Sequence, residues 1–91
     1  MNKADLIKNV SSKTNLPAIQ TANLVNVFLA EIQAALNSGE KVLISDFGSF
    51  EISTRRAFKG HNPRSGAEID VPSRRIPVFR AGKGLKESLN G

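Results

Sequence analysis

Residues 55–75, RRAFKGHNPRSGAEIDVPSRR, carry only three large apolar side chains, Phe58, Ile69 and Val71, and have basic residues at both ends. A tract so poor in apolar residues cannot be a core, so the other 70 of the 91 residues must form the platform that holds it. A platform of that size buries a modest share of its surface and is marginal alone, which favours an oligomer that shares one core.

Charge divides at the same place. Residues 1–54 hold four Lys against five acidic residues, for a balance of −1, whereas residues 55–91 hold six Arg and three Lys against Glu68, Asp70 and Glu87, for +6. That asymmetry predicts a polyanionic partner for the second half, and the predominance of Arg suits phosphate. The chain has no cysteine, which excludes disulfides and thiolate metal sites. Its one histidine, His61, cannot supply a ligand set, so neither metal nor cofactor is expected. The N-terminus has no signal-peptide pattern and no window is apolar enough to span a bilayer, so the expected location is cytoplasmic, with no membrane partner.

Along the chain, Asn2 and Asp5 form a helix-start signal, and Leu6, Ile7 and Val10 give a narrow apolar stripe for a first helix ending near Lys13. Pro17 opens a second helix to Asn37, in which Ile19, Ala22, Val25, Phe28, Leu29, Ile32, Ala35 and Leu36 recur at three and four. Leu24 and Val27 make that face wider than one neighbour needs, which calls for a second copy of the helix. Gly39 is the expected left-handed stop. Lys41 to Ile44 is a short strand, and a second begins at Phe47, Phe50 and Ile52 and turns basic through Arg55 and Arg56. Asn62-Pro63-Arg64-Ser65-Gly66 is a turn, and Ala67, Ile69 and Val71 alternate as the return limb of a hairpin. Pro72 and Pro77 belong at edges or bulges. Ile76, Val78 and Phe79 rejoin the core, and Gly82 opens a last helix with Leu85 and Leu89 on one face, expected to pack on the body.

At the tip, Pro63 is rigid, apolar and without a donor, which suits it to act as a wedge between base pairs; Arg64 beside it can neutralise phosphate. Enzyme-like fragments fail on inspection. Asp46-Phe47-Gly48 matches a kinase tripeptide without the rest of a kinase, and Ala81-Gly82-Lys83-Gly84 lacks the first Gly and the Ser or Thr of a P-loop. No catalytic residue and no small-molecule substrate are expected.

Gly48-Ser49-Phe50-Glu51, Lys59-Gly60-His61-Asn62-Pro63-Arg64-Ser65-Gly66 and Pro77-Val78-Phe79-Arg80-Ala81-Gly82-Lys83-Gly84-Leu85-Lys86 resemble the bacterial histone-like HU and integration host factor family over nearly the whole chain. The resemblance implies an α+β fold and a single domain that forms an intertwined homodimer: a helical base (1–39), a short antiparallel β saddle (41–54 and 76–80), two protruding β-ribbon arms (55–75) and a C-terminal helix (82–90). It implies a nucleoid protein that binds and bends double-stranded DNA, preferring flexible, nicked or bent duplex, by minor-groove arms that intercalate Pro63. The expected DNA contacts are Lys3, Arg55, Arg56, Phe58, Lys59, His61, Asn62, Pro63, Arg64, Arg74, Arg75, Arg80, Lys83 and Lys86. The expected dimer core is Val25, Phe28, Leu29, Ile32, Leu36, Phe47, Phe50 and Phe79.

Two positions depart from the family pattern. His61 stands where an Arg is usual, which removes a fixed charge near the tip and adds a group able to titrate. Asp46 stands where Gly is common, which puts an acid near flanking phosphates. Ending at Gly91 fits an HU-type homodimer. The alternatives are a site-specific bender of integration host factor type, and an interaction module for other anionic surfaces.

Overall fold

The computed structural model describes every residue from Met1 to Gly91. Elements run α1 (Lys3–Thr14), α2 (Ala18–Asn37), β1 (Val42–Ile44), β2 (Gly48–Arg55), β3 (Phe58–His61), β4 (Glu68–Val71), β5 (Arg74–Ala81) and α3 (Lys83–Asn90). The chain divides into two compact units, Met1–Ala34 and Ala35–Gly91.

In the first unit, the expected start of α1 is a reciprocal cap. The Asn2 side chain accepts from the Asp5 amide at 2.9 Å, and the Asn2 amide donates to the Asp5 carboxylate at 3.1 Å. The helix runs to Thr14, one residue past the expected end near Lys13, and Asn15 caps it in the left-handed region (φ 58°). The Ser11 hydroxyl donates to the Leu16 carbonyl at 2.6 Å and fastens the helix end to the connection. Pro17 then offers its carbonyl to both the amide and the hydroxyl of Thr21, which is completely buried and fully satisfied. By contrast, Leu24, Val27, Phe28 and Leu29 of α2 are all exposed, Phe28 by 56%.

The second unit begins with the end of α2. Gly39 adopts φ 87°, its amide donates to Leu36 and the Glu40 amide donates to Ala35, the paired bonds of a Schellman stop. The strands form two sheets: β1-β2-β5, antiparallel throughout, and the ribbon β3-β4. Phe50 pairs with Phe79 in the β2-β5 register, their rings 5.0 Å apart, and Phe47 lies 5.6 Å from Phe79. Phe47 and Phe79 remain 47% and 42% exposed, and no hydrophobic side chain anywhere in the chain is buried.

Strand limits differ from those read in the sequence. The three-stranded sheet takes in Arg55, Arg74 and Arg75, so it reaches past 54 and begins before 76. Arg56-Ala57 and Pro72-Ser73 then interrupt the ladder, for which Pro72 has no N–H to offer, and pairing resumes at Phe58↔Val71. One register holds on both sides of the gap, because each limb contributes two residues to it. The last helix, α3, starts after Gly82, whose amide donates to the Phe47 carbonyl at 2.8 Å. Leu85 is half-buried, but Leu89 is 80% exposed and does not pack on the body as expected. The start of α3 is what approaches the turn before β2, where a Cβ on Gly84 would meet the Asp46 carbonyl at 2.7 Å, and Leu89 stands near the opposite end.

Candidate nucleic-acid interface

The turn at the ribbon tip is set by one side chain. Asn62 Oδ1 accepts from the Arg64 amide at 2.8 Å and the Ser65 amide at 3.4 Å, so it stands in for a backbone carbonyl across Pro63. The Gly66 amide closes on the Asn62 carbonyl at 2.8 Å, with Gly66 at φ 71°, and the Asn62 amide donates to Ala67. That last bond continues the β3-β4 register, so the tip is an extension of the ladder. Pro63 and Arg64 are both exposed at its end. Asn62, expected as a DNA contact, is first of all the residue that shapes the turn.

Behind the tip the two faces of the ribbon differ in kind. Side chains alternate along each strand, so Phe58, Gly60, Ile69 and Val71 share one face and Lys59, His61, Glu68 and Asp70 the other. On the first, a Cβ placed on Gly60 would lie 3.4 Å from Ile69 Cγ1 and 3.6 Å from both the Phe58 ring and Val71 Cγ2, so these three side chains gather over the glycine. On the second, Lys59 Nζ is 3.9 Å from Glu68 Oε2 and sits directly across from Asp70, while His61 sits across from Glu68. Phe58 therefore belongs to a small apolar cluster on the face away from Lys59.

At the base of the ribbon the register places Arg55 opposite Arg74 and Thr54 opposite Arg75. The two arginines of residues 74–75 thus fall on opposite faces of the sheet. The Arg75 guanidinium donates to the carbonyls of Leu36 (3.1 Å) and Asn37 (3.4 Å), the open end of α2. Arg80 is ion-paired with Glu51 on the neighbouring strand, and Lys83 Nζ is 3.8 Å from Glu87 one turn on. Lys59, Arg75, Arg80 and Lys83 are accordingly engaged within the chain, whereas Arg55, Arg56, Arg64, Arg74 and Lys86 have no acidic partner. Arg75 was expected on the DNA path with its neighbour, but the alternation of the strand turns it to the α2 end.

The acidic partners are set by strand pairing, which the order of residues alone does not reveal. The register of a hairpin closed at Asn62 and Ala67 puts Glu68 across from His61 and Asp70 across from Lys59, and the β2–β5 pairing brings Glu51 to Arg80. Lys3 is the first residue of α1 and exposed, and nothing in the chain engages it.

The model of a family described as bacterial DNA-binding proteins matches residues 1–90. The chain belongs to that family. Its members include the DNA-binding protein HRL18 of Rhizobium leguminosarum, 42% identical over 90 residues and 99% of each chain, and the DNA-binding protein HU of Staphylococcus aureus, 43% identical over 89 residues, which cover 98% of this chain and 99% of that one. Among solved structures, an Anabaena HU–DNA cocrystal superposes with a TM-score of 0.87 at 36% identity, covering 98% of this chain and 97% of that one. HU from Thermotoga maritima superposes with a TM-score of 0.71 at 31% identity and 98% coverage of both. The α+β fold and the HU resemblance read from the sequence are those of the family, which is one of DNA-binding proteins and not of enzymes.

Proposed function

We propose that this protein is an architectural DNA-binding protein of the nucleoid, which bends duplex DNA with little base specificity and works as a homodimer. The observation that carries the reading is the set of cations without acidic partners: Arg55, Arg56 and Arg74 at the base of the ribbon, Arg64 at its tip and Lys86 on α3. Charges left unpaired in the free protein are available to displace counterions from a polyanion, so affinity falls steeply as salt rises. Lys3 lies along the flanking path. Lys59 and Lys83 join the interface by exchanging a carboxylate for a phosphate, a small cost for exposed pairs, whereas Arg80 gives up the less exposed Glu51. Pro63, exposed on a preset turn, is the wedge that opens one base step in the minor groove, with His61, Asn62 and Phe58 against the groove walls beside it. Preference then follows deformability, and nicked or pre-bent duplex binds best.

The homodimer is supported by what the single chain leaves uncovered. Val25, Phe28, Leu29, Ile32 and Leu36 of α2, Phe47 in the turn before β2, and Phe50 and Phe79 of the sheet are only half-buried or exposed, large apolar side chains left uncovered in each unit. A second copy covers both groups. The experiment is a gel shift on intact, nicked and four-way-junction DNA with sedimentation of the complexes. The expected outcome is two chains per bound unit and tighter binding to the nicked and junction forms. Equal affinity for single-stranded and duplex DNA, or one chain per complex, overturns the reading.

A further inference from the structure

We propose that the Arg55–Arg74 pair is a two-arginine clamp for a single phosphodiester group, and that its mutual repulsion in the free protein is relieved only when that anion binds. The proposal rests on the DNA-binding reading and adds to it a specific site with an energetic signature of its own.

The two residues are direct cross-strand partners in the β2-β5 ladder. Directly opposed residues of an antiparallel pair bring their Cβ atoms to about 4.5–5.5 Å on one face of the sheet, and like charges so placed destabilise the pairing. No acid forms an ion pair with either arginine. Within the sheet their face continues through Ser53, Ile76, Glu51, Val78 and Arg80, and its one acid there, Glu51, is taken up by Arg80. Beyond the gap the same face carries Glu68, engaged with Lys59, and Asp70, which lies across from Lys59 and about 13 Å along the strand from Arg74, too far to pair with it. Lys59, Arg75 and Arg80, by contrast, each have an acceptor within the chain, and the unpaired Arg56 and Arg64 have no arginine directly across from them.

The position of the pair matters as much as its charge. Arg55 and Arg74 form the last rung before the ladder lapses at Arg56-Ala57 and Pro72-Ser73. A terminal rung has one neighbouring rung to hold it, so repulsion there frays the strand ends where the ribbon leaves the sheet. A phosphate has two free oxygens, and each guanidinium presents a fork of donors that matches them. One anion bridging both side chains therefore turns the weakest rung into a closed one, and DNA binding stiffens the root of the ribbon.

The test compares Arg74→Gln, Arg55→Gln and the double variant with the parent at one fixed protein concentration. In the free protein at low salt, either single change raises Tm by about 1–4 °C. The double variant gains no more than one single change does, and the gain disappears in high salt as the repulsion is screened. Pyrophosphate raises the Tm of the parent more than that of either variant, a readout that needs no DNA and so separates failure of the clamp from failure of the DNA-binding reading. On duplex DNA each single variant binds about fivefold to tenfold more weakly at low salt, with a salt slope lower by about one. A Tm that falls or stays put on Arg74→Gln overturns the strained pair, and a raised Tm with unchanged affinity and slope overturns the phosphate site.

Discussion

Pro63 is held in place by a neighbour on each side. Its ring fixes one backbone angle, and Asn62, by accepting from both Arg64 and Ser65, fixes the course of the next two residues. Pro63 is therefore presented in one orientation in the free protein, which, for the wedge proposed above, spares the ordering entropy that a loose loop loses on binding. Replacing Pro63 with Ala keeps the Asn62 turn and the charge of Arg64 but removes the rigid apolar edge. Pro63→Ala is expected to reduce the bend markedly while lowering affinity only a few-fold, as measured by ligase-mediated cyclisation of short duplexes beside a gel shift. Equal cyclisation by parent and variant would take the wedge role away from Pro63.

Among the elements, the end of α2 shows how a residue that reads as a DNA contact comes to serve the fold. The last carbonyls of a helix lack partners within it and carry partial negative charge, and the Arg75 guanidinium, 39 and 38 residues along the chain, donates to those of Leu36 and Asn37. Arg75→Ala is expected to cost about 0.5–1 kcal/mol, a Tm lower by a few degrees. The salt slope of DNA binding should stay the same. A slope lower by one with unchanged Tm would return Arg75 to the phosphate path.

What could be read from the sequence follows from the range of the interaction responsible. The Asn2–Asp5 cap, the Gly39 stop and the Asn62–Gly66 turn are built from residues within five positions of one another, and their chemistry is visible in the order of the side chains. The partners of Arg75, Arg80 and Lys59 depend on strand register, which composition does not reveal. Which cations keep a free charge is therefore set by the pairing of Lys59 with Glu68 and of Arg80 with Glu51, not by the net balance of the chain. Leu89 misled for a related reason: its spacing from Leu85 marks a helical face but does not say how far along that helix cover extends.

For the whole molecule, the uncovered aromatic residues carry the main consequence. Phe28, Phe47 and Phe79 are between 42% and 56% exposed, so the hydrophobic stabilisation available within one chain is incomplete. If a second copy completes it, stability becomes a function of protein concentration. Tm is expected to rise steadily over about a 100-fold range of concentration, and sedimentation should find dimer at the upper end. A constant Tm across that range would mean that the fold stands alone and the apolar faces serve something else.

The register shared by the sheet and the ribbon also restricts how this protein can change over generations. Because Arg55↔Arg74, Phe58↔Val71 and the Asn62–Ala67 bond belong to a single alignment, losing one residue from one limb would rotate everything beyond it onto the other face, moving Phe58 to the charged side and Lys59 to the apolar one. Only matched edits, equal in both limbs and of two residues each, keep both the register and the facing of the tip. Reach is therefore heritable in discrete paired steps, and a lineage that lengthens or trims this ribbon must alter two distant stretches of its gene together.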